Sequence, residues 1–488
     1  MNEHRINQSP HTLAIDIGSS SSRCEVFTGD LKPLPSTFSQ RTYQLVTGSD
    51  GKAELDPENL LDVVRACIQQ SIKLVETIDV VGISCFWHSI LGVDDSFQPT
   101  TNVLMWADTR AAEAVQSLSH EVDPISHHQA TGTRLHTSYP MAKLRWLKDE
   151  HPDVFDRTAR WLSFPEFLQY RLTATLTVST SMASGTGFFD RTELDWNHQA
   201  LQHAGITADR LSPLSDEPVT SEGGIHWPQL KSAKWVPAIG DGAANNFGSY
   251  AVVANHPALM VGTTGALRLV TDCPPDVLPP RLWQYRLDER HALLGGALSE
   301  GGGVIAWMMD NLQAPDHDTL EKEIARAVPD GHGLTVLPYL AGERSPNWHS
   351  DAVGTIHGLR FDSSPQDIVH ATMESIGYSF AAILDDLSPL LEAPVEIIAT
   401  GNALRLNQTW IQMIADICGH TLLLPRTTES SLRGAALHAM RQTGASHPSP
   451  DIRSDSTRFE PRADHRDQYN DARERQTALY KLLVGANQ

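Results

Sequence analysis

The chain lacks any disulfide framework. Its five cysteines, Cys24, Cys67, Cys85, Cys273 and Cys418, are scattered through 488 residues, with no CxxC pair and no histidines at metal-binding spacing. That pattern predicts reduced thiols and a cytoplasmic protein, and it excludes a cross-linked secreted domain. Positive charge is also scarce: 38 Lys and Arg against 59 Asp and Glu leave a formal net charge of -21. Nucleic acid and anionic membrane both need a basic footprint, so neither is an expected partner, although a local pocket can still oppose the global field and take an anionic substrate. No apolar run approaches the roughly 20 residues that span a bilayer, and the first ten residues lack the apolar core of a signal peptide. The Gly-Lys-Ser/Thr of a Walker-type P-loop is absent as well.

What remains is an ordinary globular composition, 40% hydrophobic and 20% charged, long enough for two to four domains at about 100–200 residues each. Residues 12–17 form a short apolar run ending in Asp16-Ile17-Gly18. Val26 and Phe27 resume the extended pattern, which predicts a hairpin with a hydroxyl-rich tip. Residues 57–77 read as a helix capped by Asp56 and begun by Pro57, residues 78–86 as a buried strand, and residues 139–150 as a helix. Strand, hairpin, helix and strand in this order indicate an α/β fold. The opening theme returns at residues 258–270, where Gly262-Thr263-Thr264-Gly265 separates two apolar runs. A duplication at about half the chain length predicts two similar domains, 1–253 and 254–488. In the second, residues 364–383 read as a helix opened by Ser364, Pro365 and Asp367, residues 395–400 as a strand, and residues 408–418 as a helix stopped by Gly419. Residues 446–466 are polar and read as an exposed excursion, followed by a last helix over 467–483.

Two turns could hold phosphate. Residues 16–23 pack Asp16, Gly18, four serines including Ser19 and Ser20, and Arg23 into a hairpin tip, where amides and hydroxyls can wrap phosphate oxygens and Asp16 can hold Mg²⁺. Residues 262–265 repeat the glycine-hydroxyl pattern. Either turn alone is compatible with an ordinary polar hairpin; the pair favours phosphate. Between them lies Asp241, in Ile239-Gly240-Asp241-Gly242, and a carboxylate placed between two phosphate cradles suggests phosphoryl transfer to a hydroxyl. Trp87 and His88 follow a strand and face the expected crevice, where an indole can stack on a sugar and an imidazole can bond a hydroxyl. Asp108 and Arg110 sit two apart and can bracket polyol hydroxyls, or form a surface ion pair. Residues 342–346 make a turn-rich loop with a charged centre that could shape the interdomain cleft. Gly401-Asn402 after a strand suits close approach of a nucleotide.

These residues, with the segments 138–150 and 354–374, resemble the FGGY carbohydrate kinases of the actin/hexokinase-like ATPase superfamily, collinearly over roughly residues 12–440. The resemblance implies two ribonuclease-H-like domains around a central cleft that binds ATP and a sugar. It implies Asp241 as catalytic base and substrate contact, and Asp16 as the Mg²⁺-associated acid. It implies Gly18, Ser19, Ser20 and Arg23 in the first phosphate loop, Gly262, Thr263 and Thr264 in the second, and Gly302, Gly401 and Asn402 as nucleotide contacts. Trp87, His88, Asp108 and Arg110 are the implied sugar contacts. The adenine loop departs from the usual Gly-Gly by having Asn402, and Gly242 replaces a polar residue that adds a substrate contact in several subfamilies. Residues 106–110, His88-Ser89 and residues 299–302 are most similar to gluconate kinases. A gluconate carboxylate could meet Arg110, Arg134, His136 or His88. The expected activity is therefore ATP-dependent phosphorylation of a sugar acid, with another sugar or polyol, or a non-catalytic nucleotide switch on the same fold, as alternatives. A homodimer is compatible with this reading.

Overall fold

The structure is a computed structural model, and it describes residues 10–221, 227–252, 255–445 and 452–485. Two seven-stranded sheets organise the chain. In the first, Thr12–Ile17 pairs antiparallel with Ser21–Phe27 on one side and parallel with Val80–Cys85 on the other. In the second, Ala258–Val261 pairs antiparallel with Gly265–Thr271 and parallel with Glu396–Thr400. The repeated hairpin-plus-parallel-strand topology is the duplication read from the sequence, and each copy is a mixed sheet flanked by helices.

The helix Pro57–Ser71 starts where expected, with the Asp56 carboxylate accepting from the amides of Glu58 and Asn59. It stops at Ser71 rather than continuing to 77, because Ile72 and Val75 turn inward into the core and the Val75 amide bonds back to the Ile72 carbonyl. Pro365–Leu387 opens on the expected Ser364–Asp367 capping box, and Gln408–Cys418 ends at Gly419 with φ 69°. The segment 446–466 is not simply an excursion. Residues 446–451 lie outside the described residues, but Ser456–Phe459 pairs with Thr421–Pro425 as the edge strand of the second sheet. Its short, polar sequence carries little strand signal, since a two-faced edge needs few buried side chains.

The second sheet has an apolar cluster of its own, but the core of the first sheet is completed by the second half of the chain. The helix Ser430–Gln442 packs Leu432, Ala435, Ala436 and Met440 into the apolar cluster of the first sheet. Trp283, Tyr285 and Leu293, from the second sheet, join the same cluster. The helix Asp241–Gly248 crosses Ser430–Gln442 at very close range. A Cβ on Gly434 would stand 1.8 Å from the Ala244 carbonyl oxygen, and one on Gly248 would stand 1.7 Å from that of Ser430. Only glycine at both positions allows this crossing. Among the described residues no helix is long and apolar enough to cross a membrane.

Candidate active site

Strand register assembles the first half of the site. Arg23 and Ser84 stand directly opposite Asp16 on its two neighbouring strands. The Ser84 hydroxyl donates to one Asp16 oxygen at 2.8 Å, and Arg23 Nη2 donates to the other at 2.7 Å. The second Arg23 nitrogen reaches Glu429, at the start of Ser430–Gln442, at 2.5 Å. Asp16 is buried, and burial pushes its carboxyl above the usual range; Arg23 and Ser84 oppose that shift, while Glu429 adds to it. The turn that follows is closed by the Gly18 amide on the Ser21 carbonyl at 2.9 Å, and Tyr43 donates its hydroxyl to the Gly18 carbonyl.

The strand Ile239–Gly240 runs parallel to Val80–Cys85, with Gly240 opposite Cys85. Trp87 and His88, just past one strand, and Asp241, just past the other, therefore leave the sheet at the same carboxyl edge, where ligands bind in folds of this kind. Asp241 is the first residue of its helix, and its own Gly242 amide donates to it at 2.8 Å. Its carboxylate opens onto the cleft, yet the surrounding protein desolvates it and raises its proton affinity. The Arg268 guanidinium opposes that rise, and Asp16 reinforces it.

Two chambers meet at this carboxylate. One, of about 210 Å³, is lined by Ser19, Trp87, His88, Trp106, Thr264 and Arg344, among others. The other, of about 320 Å³, is lined by Arg23, Gly401, Asn402, Arg405 and residues 428–431. Asp241, Met260 and Arg268 line both. A carboxylate at the junction of two chambers can act on a group held in one while its reaction partner is held in the other.

The turn 262–265 belongs to the same wall. The Gly262 amide bonds the Thr264 carbonyl at 2.9 Å, and the amides of Gly302 and Gly303 bond the carbonyls of Gly262 and Thr263 at 2.8 and 3.0 Å. Gly302 thus fastens the helix Gly302–Leu312 to the second loop, and its amide is committed to that bond. Gly401 has φ 96°, and a Cβ there would meet the Val261 carbonyl oxygen at 2.2 Å, so glycine is required.

Several sequence-derived candidates sit differently from their expected roles. Trp87 lines the smaller chamber, but it is 95% covered, its Nε1 donates to the Ser181 carbonyl at 2.9 Å, and a Cβ on Gly240 would lie 1.9 Å from its ring. Its indole is a wedge behind Asp241. His88 Nδ1 is 2.6 Å from the Gly185 carbonyl, so Nδ1 carries the proton and Nε2 is free to accept. Burial pulls its basicity down to about 3, so it is neutral. Asp108 and Arg110 face each other rather than the cleft. Arg110 donates from Nη2 to Asp108 at 2.6 Å and to Glu54, its guanidinium covers the Trp146 ring at 4.6 Å, and Asp108 also accepts from the Ala53 amide. Neither lines either chamber. His136 packs its ring against Trp348 at 5.6 Å. Of the four suggested carboxylate partners, only His88 lines the smaller chamber.

Sequence reasoning missed Arg268 and gave Arg344 only a general place. Arg268 is a charge inside the apolar strand Gly265–Thr271, a signal in itself, since an arginine is buried only for a reason. Its Nε and Nη1 are buried and have no hydrogen-bond partner among the described residues, and the same holds for Nε of Arg344. Arg344 lies over Trp106 at 5.6 Å.

Contrary to the expectation that no histidines cluster at metal-binding spacing, His332, His370 and Glu374 bring ligand atoms within 4.8 Å of one another, at a place that lines neither chamber. There the Leu334 amide donates to His332 Nδ1, which leaves the proton on Nε2 facing Glu374, so that ring is a donor and offers no lone pair toward a cation.

Family comparison accounts for this arrangement. The N-terminal domain model of the FGGY family of carbohydrate kinases matches residues 11–222, and its C-terminal domain model matches residues 258–443. The chain belongs to the FGGY family of carbohydrate kinases. It is an ATP-dependent phosphotransferase with an alcohol acceptor. The kinase is 29% identical to the gluconokinase of Bacillus licheniformis, over 89% of this chain and 88% of that one. It is 25% identical to a glycerol kinase of Nocardia farcinica, over 91% and 92%. The crystal structure of gluconate kinase from Lactobacillus acidophilus matches it with a TM-score of 0.88 at 26% identity, over 97% of this chain and 98% of that one.

Proposed function

We propose that the kinase phosphorylates a hydroxyl of a sugar acid, with D-gluconate as the acceptor, and that the smaller chamber holds it. The observation that carries this reading is charge. Arg268 and Arg344 face a chamber whose lining contains one carboxylate, Asp241. Arg268 also borders the larger chamber, where ATP phosphates can use it, while Arg344 borders only the smaller one. A neutral polyol would leave Asp241, already opposed by Arg268, as the chamber's single lining carboxylate for Arg344, whereas a substrate carboxylate accepts a guanidinium fork well.

Asp241 accepts the acceptor hydroxyl's proton as the oxygen attacks the terminal phosphorus of ATP, and Arg268, at the junction, offsets charge on the transferred group. The turns 18–22 and 262–265 supply amides and hydroxyls to the phosphates, and Gly401 and Asn402 take the adenosine side. Glu429 raises the proton affinity of Asp16, and Asp16 raises that of Asp241, with Arg23 as the cation between Asp16 and Glu429. This excess of negative charge fits a divalent cation, so Asp16, with Glu429 in support, would hold Mg²⁺, which would neutralise charge on the ATP phosphates. The two lobes are proposed as residues 1–253 and 254–488, and a cytoplasmic location accords with five free thiols.

A coupled assay of D-gluconate, D-xylulose, xylitol and glycerol tests the acceptor. D-gluconate is expected to give the highest kcat/KM. Arg344→Met should lower that value by about 10²-fold, the loss of a desolvated charge pair, with little effect on the neutral acceptors. A higher kcat/KM for xylulose or glycerol would replace the proposal.

A further inference from the structure

A third cavity, of about 590 Å³, lies apart from both chambers of the active site and is larger than either. Its wall is assembled from distant parts of the chain: Arg134 from the first half, Arg281 after the first hairpin of the second, Asn347 from the loop that carries Arg344, and Arg473 and Lys481 from the terminal helix Arg466–Leu483. Among the described residues no aspartate or glutamate lines it. Four cations without a lining carboxylate are a marked local inversion in a chain whose formal net charge is -21. Two of the four have anions behind them: Arg281 pairs with Asp386 and Arg473 with Asp385, both at 2.5 Å.

Arg134 does not. Its Nε is buried without a hydrogen-bond partner among the described residues. Burial lowers its proton affinity, and the only group acting the other way is the Tyr139 hydroxyl. A desolvated guanidinium N–H without an acceptor is costly to keep and is an unusual feature unless a ligand supplies the acceptor. Guanidinium forks match phosphate and carboxylate oxygens, and the cavity volume is that of a small-metabolite site rather than of a single ion. We propose that this cavity is a second ligand site, specific for small organic phosphates and separate from the ATP cleft. The proposal does not depend on the identity of the acceptor sugar.

An occupant would touch the segment that aims Arg344 into the smaller chamber. Glu343, next to Arg344, is held by the Tyr480 hydroxyl at 2.5 Å and by Asn347 Nδ2 at 3.0 Å, and both Tyr480 and Asn347 border the cavity. The site is therefore placed to report the level of a phosphorylated metabolite to the acceptor pocket.

Calorimetry on the full-length kinase, with the ATP site filled by a non-hydrolysable analogue, tests the proposal with three probes: glucose 6-phosphate, 3-phosphoglycerate and inorganic phosphate. One of the two organic phosphates is expected to bind one per chain with Kd below about 1 mM and more tightly than inorganic phosphate. Arg134→Gln should weaken it by about tenfold or more, as should Lys481→Glu, whose exposed position makes a folding defect a poor explanation. Lys481→Glu should leave kcat and both KM values in the absence of the probe unchanged. No binding by either organic phosphate at about 10 mM overturns the proposal. So does binding that Lys481→Glu does not weaken, and so does equal affinity for inorganic phosphate, which would mark a non-specific anion patch.

Discussion

At the scale of single residues, the proposed mechanism turns on how the protein sets the proton affinity of Asp241. Desolvation raises it, and the Arg268 guanidinium and the amide end of the helix Asp241–Gly248 hold it down. The base works only when ionised, so activity must fall as pH drops through this raised value. The acid limb of the kcat/KM profile should therefore lie above the range of an ordinary aspartate. Arg268→Met removes the opposing cation and should move that limb to higher pH. Asp241→Asn should reduce kcat by about 10²-fold or more with ATP affinity preserved, on the usual scale for a general base. Coupled-assay rates at sub-saturating acceptor across pH give the acid limb, turnover at saturating substrates gives the kcat loss, and near-full activity of the asparagine variant would remove Asp241 from the mechanism.

At the scale of elements, much was legible in the sequence. Both hairpins announced themselves because a polar glycine-hydroxyl turn separates two apolar runs. The helices opened by Asp56 and Ser364 and closed by Gly419 did so because their caps are local chemistry. What depended on partners far along the chain was not legible. The strand Ser456–Phe459 exists only because Thr421–Pro425 offers an open edge. Asp108 and Arg110 meet in a turn rather than on the extended segment expected, and Glu54 and Trp146, unforeseeable neighbours, hold Arg110 there, outside both chambers. The glycine crossing of Asp241–Gly248 and Ser430–Gln442 is of the same kind: neither Gly248 nor Gly434 looks special in its own segment. Gly434→Val would push the two helices apart and is expected to lower stability by more than about 3 kcal/mol, as overpacking against backbone does. Urea denaturation monitored by circular dichroism measures this, and an unchanged midpoint would show that the crossing yields easily.

At the scale of the whole molecule, the apolar cluster of the first lobe is completed by the second half, because Ser430–Gln442 returns to cover Thr12–Ile17 and Val80–Cys85. A fragment of residues 1–253 would expose the surface that Leu432, Ala435, Ala436 and Met440 cover. It should therefore aggregate or unfold without a cooperative transition, and co-expression with residues 254–488 should restore a soluble pair. A well-folded, cooperatively melting fragment would show that the returning helix is dispensable.

Arg23 gives the shared architecture a kinetic side. Its guanidinium is already divided between Asp16, deep in the first sheet, and Glu429, at the head of the returning helix. If Arg23 takes phosphate oxygens as proposed, an incoming triphosphate would compete with Glu429 for that guanidinium, and nucleotide arrival would be exchanged for part of the grip between the halves. The empty kinase would then be latched by its own acid and the loaded one by its cosubstrate.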